Sequence, residues 1–274
     1  MIFPPHLGPD FMRIVQKTLD VQEPDHVRLN VLWNLLVSLQ NVMLGHVLTG
    51  RIGDHVFAGP FRGMRLIKAV QTQPFCAQLL GTYEWELHEA IEAAIKRPYK
   101  NILNIGSGFG YYSIGFARRM QDATVHAYDS DETARDHGRK MAALNEVEDR
   151  VMIHGRFEGA NFEKYAGEPT LVFMDIAGEE RAMLDPALYP ALLDMDVIVQ
   201  MHAMKDPQIE ALLPARFEKT HATEILRNVP FNFPLEKILG EDFPHGHLDG
   251  LIASWERRDG PAPFGVFLKS HREK

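Results

Sequence analysis

Ile102-Leu-Asn-Ile-Gly-Ser-Gly-Phe-Gly110 is the stretch on which the fold turns. Four residues suited to a buried strand break into Gly106-x-Gly108-x-Gly110, and Tyr111 to Met120 follows with helix-compatible sequence. Strand, glycine turn and helix in immediate succession open a nucleotide-binding α/β unit, because glycine lets the turn backbone approach a ligand closely. Asp129 closes the next apolar run, Ala123 to Tyr128, roughly 20 residues beyond the glycines. An acid at that place grips a ribose in folds of this kind.

Outward from this point strands and helices alternate. Strands are expected at 101–105, 124–129, 150–154, 170–175 and 196–202, and helices near 111–120, 131–144, 179–193 (broken near Pro186) and 206–217. The alternation predicts a Rossmann-like, mainly parallel twisted sheet with helices on both faces. Two more strands are expected at 220–227 and 263–269, separated by an irregular stretch rich in Pro, Phe and His. Upstream, residues 1–50 read as helical, 51–67 as short strands around a tight turn, and Thr82 as the cap of a helix from Glu84 to Arg97. The division is an N-terminal helical and hairpin extension, 1–80, followed by a domain, 81–274, carrying a lid-like insert at 228–263.

Composition narrows the partners. A net charge of −8 without a Lys/Arg run argues against nucleic acid. The single cysteine, Cys76, excludes an intrachain disulfide, and with no secretory signal at the N-terminus a cytoplasmic location is expected. Residues 29–50 carry no charge and are long enough to span a bilayer. However, Asn30, Asn34, Ser38, Asn41 and Gly45 draw a polar stripe opposite Val31, Leu35, Leu39 and Val42. The expectation is therefore an amphipathic helix packed on protein or on a second subunit as a homodimer, with no membrane.

The spacing Gly-x-Gly-x-Gly, with Tyr111 where a dinucleotide fold prefers its third glycine, leans toward S-adenosylmethionine and leaves NAD(P) open. Asn104-Ile-Gly-Ser-Gly-Phe-Gly-Tyr-Tyr112 resembles motif I of class I S-adenosylmethionine-dependent methyltransferases. Met174-Asp-Ile-Ala-Gly-Glu-Glu180 resembles the Asp-x-Glu-Gly-x-Glu signature of the FkbM-type branch. Val197 to His202 is similar to that branch's Glu-x-His strand, and Gly81-Thr-Tyr-Glu84 to its Gly-x-x-Glu element. The resemblance spans residues 80–205 and departs at Asn104, Ala177 and Gln200, where the family carries acids.

The resemblance implies a transferase moving a methyl group to a small-molecule acceptor, most simply through oxygen. It places Asn104, Gly106, Ser107, Gly108 and Gly110 around the methionine part of the cofactor and Asp129 on the ribose hydroxyls. Tyr83 and Glu84 would reach the methionine carboxylate or ammonium, and Arg156 and Phe157 the adenine. Asp175 and His202, at the ends of the fourth and fifth strands, should face the cleft, where an imidazole suits the role of base. Glu180 matches the final acid of the signature. Asp175, Glu179, Glu180 and His202 are ligand types that Mg²⁺ accepts, but no dense ligand motif exists and no metal is expected. Phe231, Phe233 and Phe243 are expected to wall the acceptor. The rivals are an NAD(P)-dependent oxidoreductase on a related fold and a non-catalytic S-adenosylmethionine-binding subunit.

Overall fold

A computed structural model describes residues 8–20, 23–67, 75–203, 205–227, 231–240, 246–254 and 263–271. Helices α1 (Gly8–Asp20), α2 (Asp25–Ile52), α3 (Phe75–Leu80) and α4 (His88–Ile95) precede the alternating region. That region runs β1 (Asn101–Ile105), α5 (Tyr111–Arg119), β2 (Thr124–Tyr128), α6 (Glu132–Leu144), β3 (Val151–His154) and β4 (Thr170–Met174). It continues through α7 (Glu180–Met183), β5 (Asp196–Gln200), α8 (Ile209–Phe217) and β6 (His221–Arg227). Helices α9 (Glu236–Leu239) and α10 (His247–Ser254) precede the last strand, β7 (Pro263–Ser270).

The seven strands lie in the order β3-β2-β1-β4-β5-β7-β6. Pairings from β3 across to β5 are parallel, and β7 runs antiparallel between β5 and β6. Every residue of β1, β4 and β5 is buried, as expected of central strands covered on both faces. Alternate side chains feed two cores: Leu171 and Phe173 join one, and Val172 and Met174 the other. The order reverses between β1 and β4, which puts the ligand crevice of such a sheet beyond the carboxyl ends of these two strands.

The extension contributes directly to the first core. Phe61 packs edge-on against Tyr111, Tyr112 and Phe116 of α5, where Gly115 gives it room: a Cβ there would lie 2.4 Å from the ring. The insert meets the extension, as Asn41 Nδ2 on α2 donates to Ile252 O on α10 at 3.1 Å, and it meets the segment just beyond, where Thr82 Oγ1 donates to Ser254 O at 3.0 Å.

Several local expectations are corrected. Thr82 caps no helix. Glu84 adopts a left-handed conformation (φ 47°), a single 3₁₀ turn spans Trp85–Leu87, and α4 starts only at His88. The hairpin near 51–67 reduces to one antiparallel bridge, His55 to Arg65. The helix expected over 179–193 is the one-turn α7 and a separate 3₁₀ turn at Pro190–Asp194, because Pro186 and Pro190 interrupt it. On α2 the polar stripe does not face outward along its length. Asn41 and Gly45 point inward with Val37, Leu44 and Leu48, while Leu29, Val31, Trp33 and Leu36 are exposed. By length and composition alone α2 could cross a membrane, and a third of its most apolar window (33%) is buried inside the protein.

Candidate active site

Gly106 (φ +79°) leaves β1 in the left-handed region and passes so close to the β4 end that a Cβ would lie 1.8 Å from Asp175 O. The turn is held from the β2 side, where the amides of Gly106 and Ser107 both donate to Tyr128 O at 2.9 Å. Gly110 closes it and caps α5, its own amide donating to Ser107 O at 2.9 Å. Gly108 (φ +52°) differs from Gly106, since a Cβ there would meet nothing within 4 Å. Its glycine character serves the turn and leaves a cradle that no atom of the described residues fills.

Asp129 stands across that cradle. Its Oδ2 accepts from Gly108 N at 2.7 Å and its Oδ1 from Asp131 N at 2.9 Å, while Arg135 donates to its carbonyl at 2.9 Å. Beside it opens a cleft of about 230 Å³ lined by Gly106, Tyr128, Asp129, Arg156, Phe157 and Asp175, among others. Drug-sized ligands occupy pockets of roughly 300–1,000 Å³.

The structure brings Gly106, Asp129, Arg156, Phe157 and Asp175 into this one cleft. Arg156 reaches over it to Glu179, Nη2 to Oε2 at 3.0 Å. Phe157 is both a wall and a core residue, edge-on to Tyr128 at 4.8 Å and to Phe162 at 4.7 Å. Sequence reasoning missed Tyr128, Ile176 and Met183 as lining residues. Tyr128 adjoins Asp129, and its ring stacks on His154 at 4.5 Å. His154 in turn contacts His126, Nε2 to Nδ1 at 3.2 Å; burial first, then His154, pushes His126 down to about 4.

Asn104, Ser113, Tyr112 and Glu84 form a buried polar group around the start of α5. Ser113 Oγ donates to Asn104 Oδ1 at 2.6 Å, and Asn104 Nδ2 has no partner among the described residues. Glu84 is fully buried and accepts from the Tyr112 hydroxyl. Burial above all, and then the Glu84 charge, holds that hydroxyl in its protonated, donating form. Tyr83 is half-buried, edge-on to Tyr111 at 5.3 Å.

The third group lies at the ends of β4 and β5. His202 Nδ1 is 2.5 Å from Glu180 Oε1, and Nε2 is 3.5 Å from Asp175 Oδ1 and 3.4 Å from Gln200 Nε2. Glu180 is 1% exposed. Burial pushes its carboxyl up, but hydrogen bonds from His202, its own amide and Gly178 N outweigh this and hold it below the ordinary carboxylate range. An ionised carboxylate only accepts, so His202 Nδ1 donates to Glu180. The tautomer thus follows from the hydrogen-bond network.

The loop between these groups is fixed by Ala177 (φ +52°), whose carbonyl accepts from Lys205 Nζ at 2.7 Å. Phe231 stacks on Trp85, and Phe233 is buried against Phe57 at 5.9 Å; Phe243 lies outside the described residues. Among the described residues no cluster of three or more His, Cys, Asp or Glu is arranged for a metal ion.

No protein-family model matches the chain, and no curated protein matches it. Among solved structures it is similar to an O-methyltransferase from Bacillus cereus in complex with SAH, at 14% identity over 94% of this chain and 96% of that one, TM-score 0.42. It is also similar to the O-methyltransferase TomG from Streptomyces achromogenes in complex with SAM, at 17% identity over 65% and 75%, TM-score 0.41. A methyltransferase from Geobacter sulfurreducens matches at 17% identity over 65% and 74%, TM-score 0.42.

Proposed function

We propose that this chain is an S-adenosylmethionine-dependent methyltransferase of the FkbM type, acting on an oxygen of a small molecule. One observation carries the reading: at the point where strand order reverses, the open Gly108 cradle faces the Asp129 carboxylate. The residues fit the cofactor. Asp129 keeps further lone pairs for two ribose hydroxyls, Tyr128 and Phe157 offer aromatic surface to a base, and the turn approaches its ligand through backbone alone. Bound there, S-adenosylmethionine supplies an electrophilic methyl group on a positively charged sulfur.

The remaining chemistry belongs to the chain. The acceptor hydroxyl loses its proton to His202 Nε2, Glu180 holds Nδ1–H and the ring orientation, and Asp175 faces the resulting imidazolium. A positioned base contributes roughly 10²–10⁴-fold, and alignment of the reacting atoms supplies much of the rest. The test is calorimetric titration with S-adenosylhomocysteine beside NAD⁺ and NADP⁺, repeated on Asp129→Ala. Micromolar binding of the sulfur nucleoside alone, weakened by the substitution, supports the proposal. Binding of a nicotinamide cofactor instead would replace it with the oxidoreductase reading.

A further inference from the structure

Trp85 follows the fully buried Glu84, yet 38% of its own surface is exposed. Its ring stacks on Phe231, centroids 4.7 Å apart and planes inclined by 21°. The topology says where this pair stands. Because β7 is antiparallel, its first residues lie at the edge where β5 and β6 end, with Gly265 opposite both Gln200 and Leu226. Leu87, in the same 3₁₀ turn as Trp85, packs onto that spot: a Cβ on Gly265 would lie 3.4 Å from Leu87 Cδ2. Phe231 comes off the end of β6.

The ligand edge is thus divided. The glycine turn, Asp129 and Tyr128 stand over β1 and β2. The 3₁₀ turn that carries Trp85 packs on β7 beside the ends of β5 and β6, on the side of the strand that leads into His202, and Phe231 stacks on the indole there. Asp175 and His202 lie between the two halves. The indole also meets His88 edge-on at 6.3 Å, and its neighbour Glu84 is anchored by the Tyr112 hydroxyl. A fixed planar face loses little freedom when a second ring lies on it.

Building on the methyl-transfer reading, we propose that Trp85, backed by Phe231, is the specificity wall of the acceptor half, and that the acceptor carries its hydroxyl on an aromatic ring. The chemistry agrees with an imidazole as the base. A phenolic hydroxyl ionises near pH 10, within reach of one such base, whereas an alkyl alcohol holds its proton far more tightly. In the transfer the O–H bond breaks with its proton passing to His202 Nε2. A C–O bond forms, the C–S bond breaks, and the sulfonium takes back the electron pair as a neutral thioether.

The test uses Trp33→Phe/Trp255→Phe protein, in which Trp85 is the remaining tryptophan. It is saturated with S-adenosylhomocysteine and titrated with catechol or with trans-1,2-cyclohexanediol while indole fluorescence is followed. Catechol should quench saturably and the saturated diol should not. Phe231→Leu should weaken catechol by roughly two- to twelvefold, the worth of one aromatic pair, with calorimetric affinity for S-adenosylhomocysteine unchanged. Equal behaviour of catechol and the diol, or no effect of Phe231→Leu, overturns the inference while intact nucleoside binding leaves the cofactor reading standing. Failure of S-adenosylhomocysteine to bind the parent protein would overturn both.

Discussion

Gly106 and Gly108 are two residues apart and both left-handed, yet Ala should act on them in opposite ways. At Gly108 the new methyl meets no protein atom within 4 Å. Its cost to folding is the left-handed backbone, about 1–2 kcal/mol, offset by about 0.4–1 kcal/mol from a less flexible unfolded chain. The net, about 1 kcal/mol, lowers Tm by roughly 2–4 °C in a chain of this size. At Gly106 the methyl would lie 1.8 Å from Asp175 O and 2.8 Å from its carbonyl carbon, so the β1 and β4 ends must separate. Overpacking of this kind adds about 1–3 kcal/mol to the same backbone strain, for a Tm loss of roughly 5–15 °C. Binding should follow a different order. Gly108→Ala puts its methyl where the ligand would lie and should weaken S-adenosylhomocysteine at least tenfold, equivalent to about 1.4 kcal/mol. Scanning calorimetry and titration calorimetry on the two variants separate these effects. Equal Tm losses would refute the packing argument, and undiminished affinity in Gly108→Ala would refute the cradle.

Three further outcomes are expected. Asp129→Ala should weaken S-adenosylhomocysteine by roughly 10–100-fold, since a hydrogen bond to a charged group is worth about 1.5–3 kcal/mol, which titration calorimetry reads directly. Glu180 is held below its ordinary value of 4.5; its contribution to stability is therefore complete above pH 4.5 and lost as pH falls through its lowered folded value. Urea denaturation from pH 6 downward should accordingly show a shallower acid loss in Glu180→Gln than in the parent, and an unchanged slope would remove Glu180 from the network. The exposed Leu29, Val31, Trp33 and Leu36 on α2, with Met12, Ile14 and Leu19 on α1, should support a homodimer. Light scattering at micromolar concentration should then give twice the chain mass, reverting to one chain mass in Trp33→Glu/Leu36→Glu.

The parts of the molecule that were legible in the sequence are those governed by neighbouring residues. A glycine turn after an apolar run is local chemistry, as is the continuous burial of β1, β4 and β5, so the parallel sheet could be read directly. Glu84 could not. Its position suggests an acid in the first turn of a helix, whereas in the fold it is buried with φ 47° and accepts from the Tyr112 hydroxyl, a partner from beyond the glycine turn. The inward face of α2 was hidden for a similar reason: Asn41 is buried because Ile252 O, from the far end of the chain, accepts its amide. Trp85 escaped notice because its partner Phe231 reaches it only through the insert that precedes the antiparallel final strand. The cleft-lining Asp129, Asp175, Arg156 and Phe157 were easier, since each lies within three residues of the carboxyl end of a strand that faces the crevice.

The two backbone bonds that Asp129 accepts from Gly108 and Asp131 carry a kinetic implication. Each uses one oxygen and leaves that oxygen able to accept again. A ligand that meets this carboxylate therefore breaks neither of these two bonds. Capture at the turn should proceed as a simple bimolecular encounter, with rate proportional to ligand concentration and no plateau from a preceding conformational step. Selectivity between nucleosides would then be expressed in how long each remains bound.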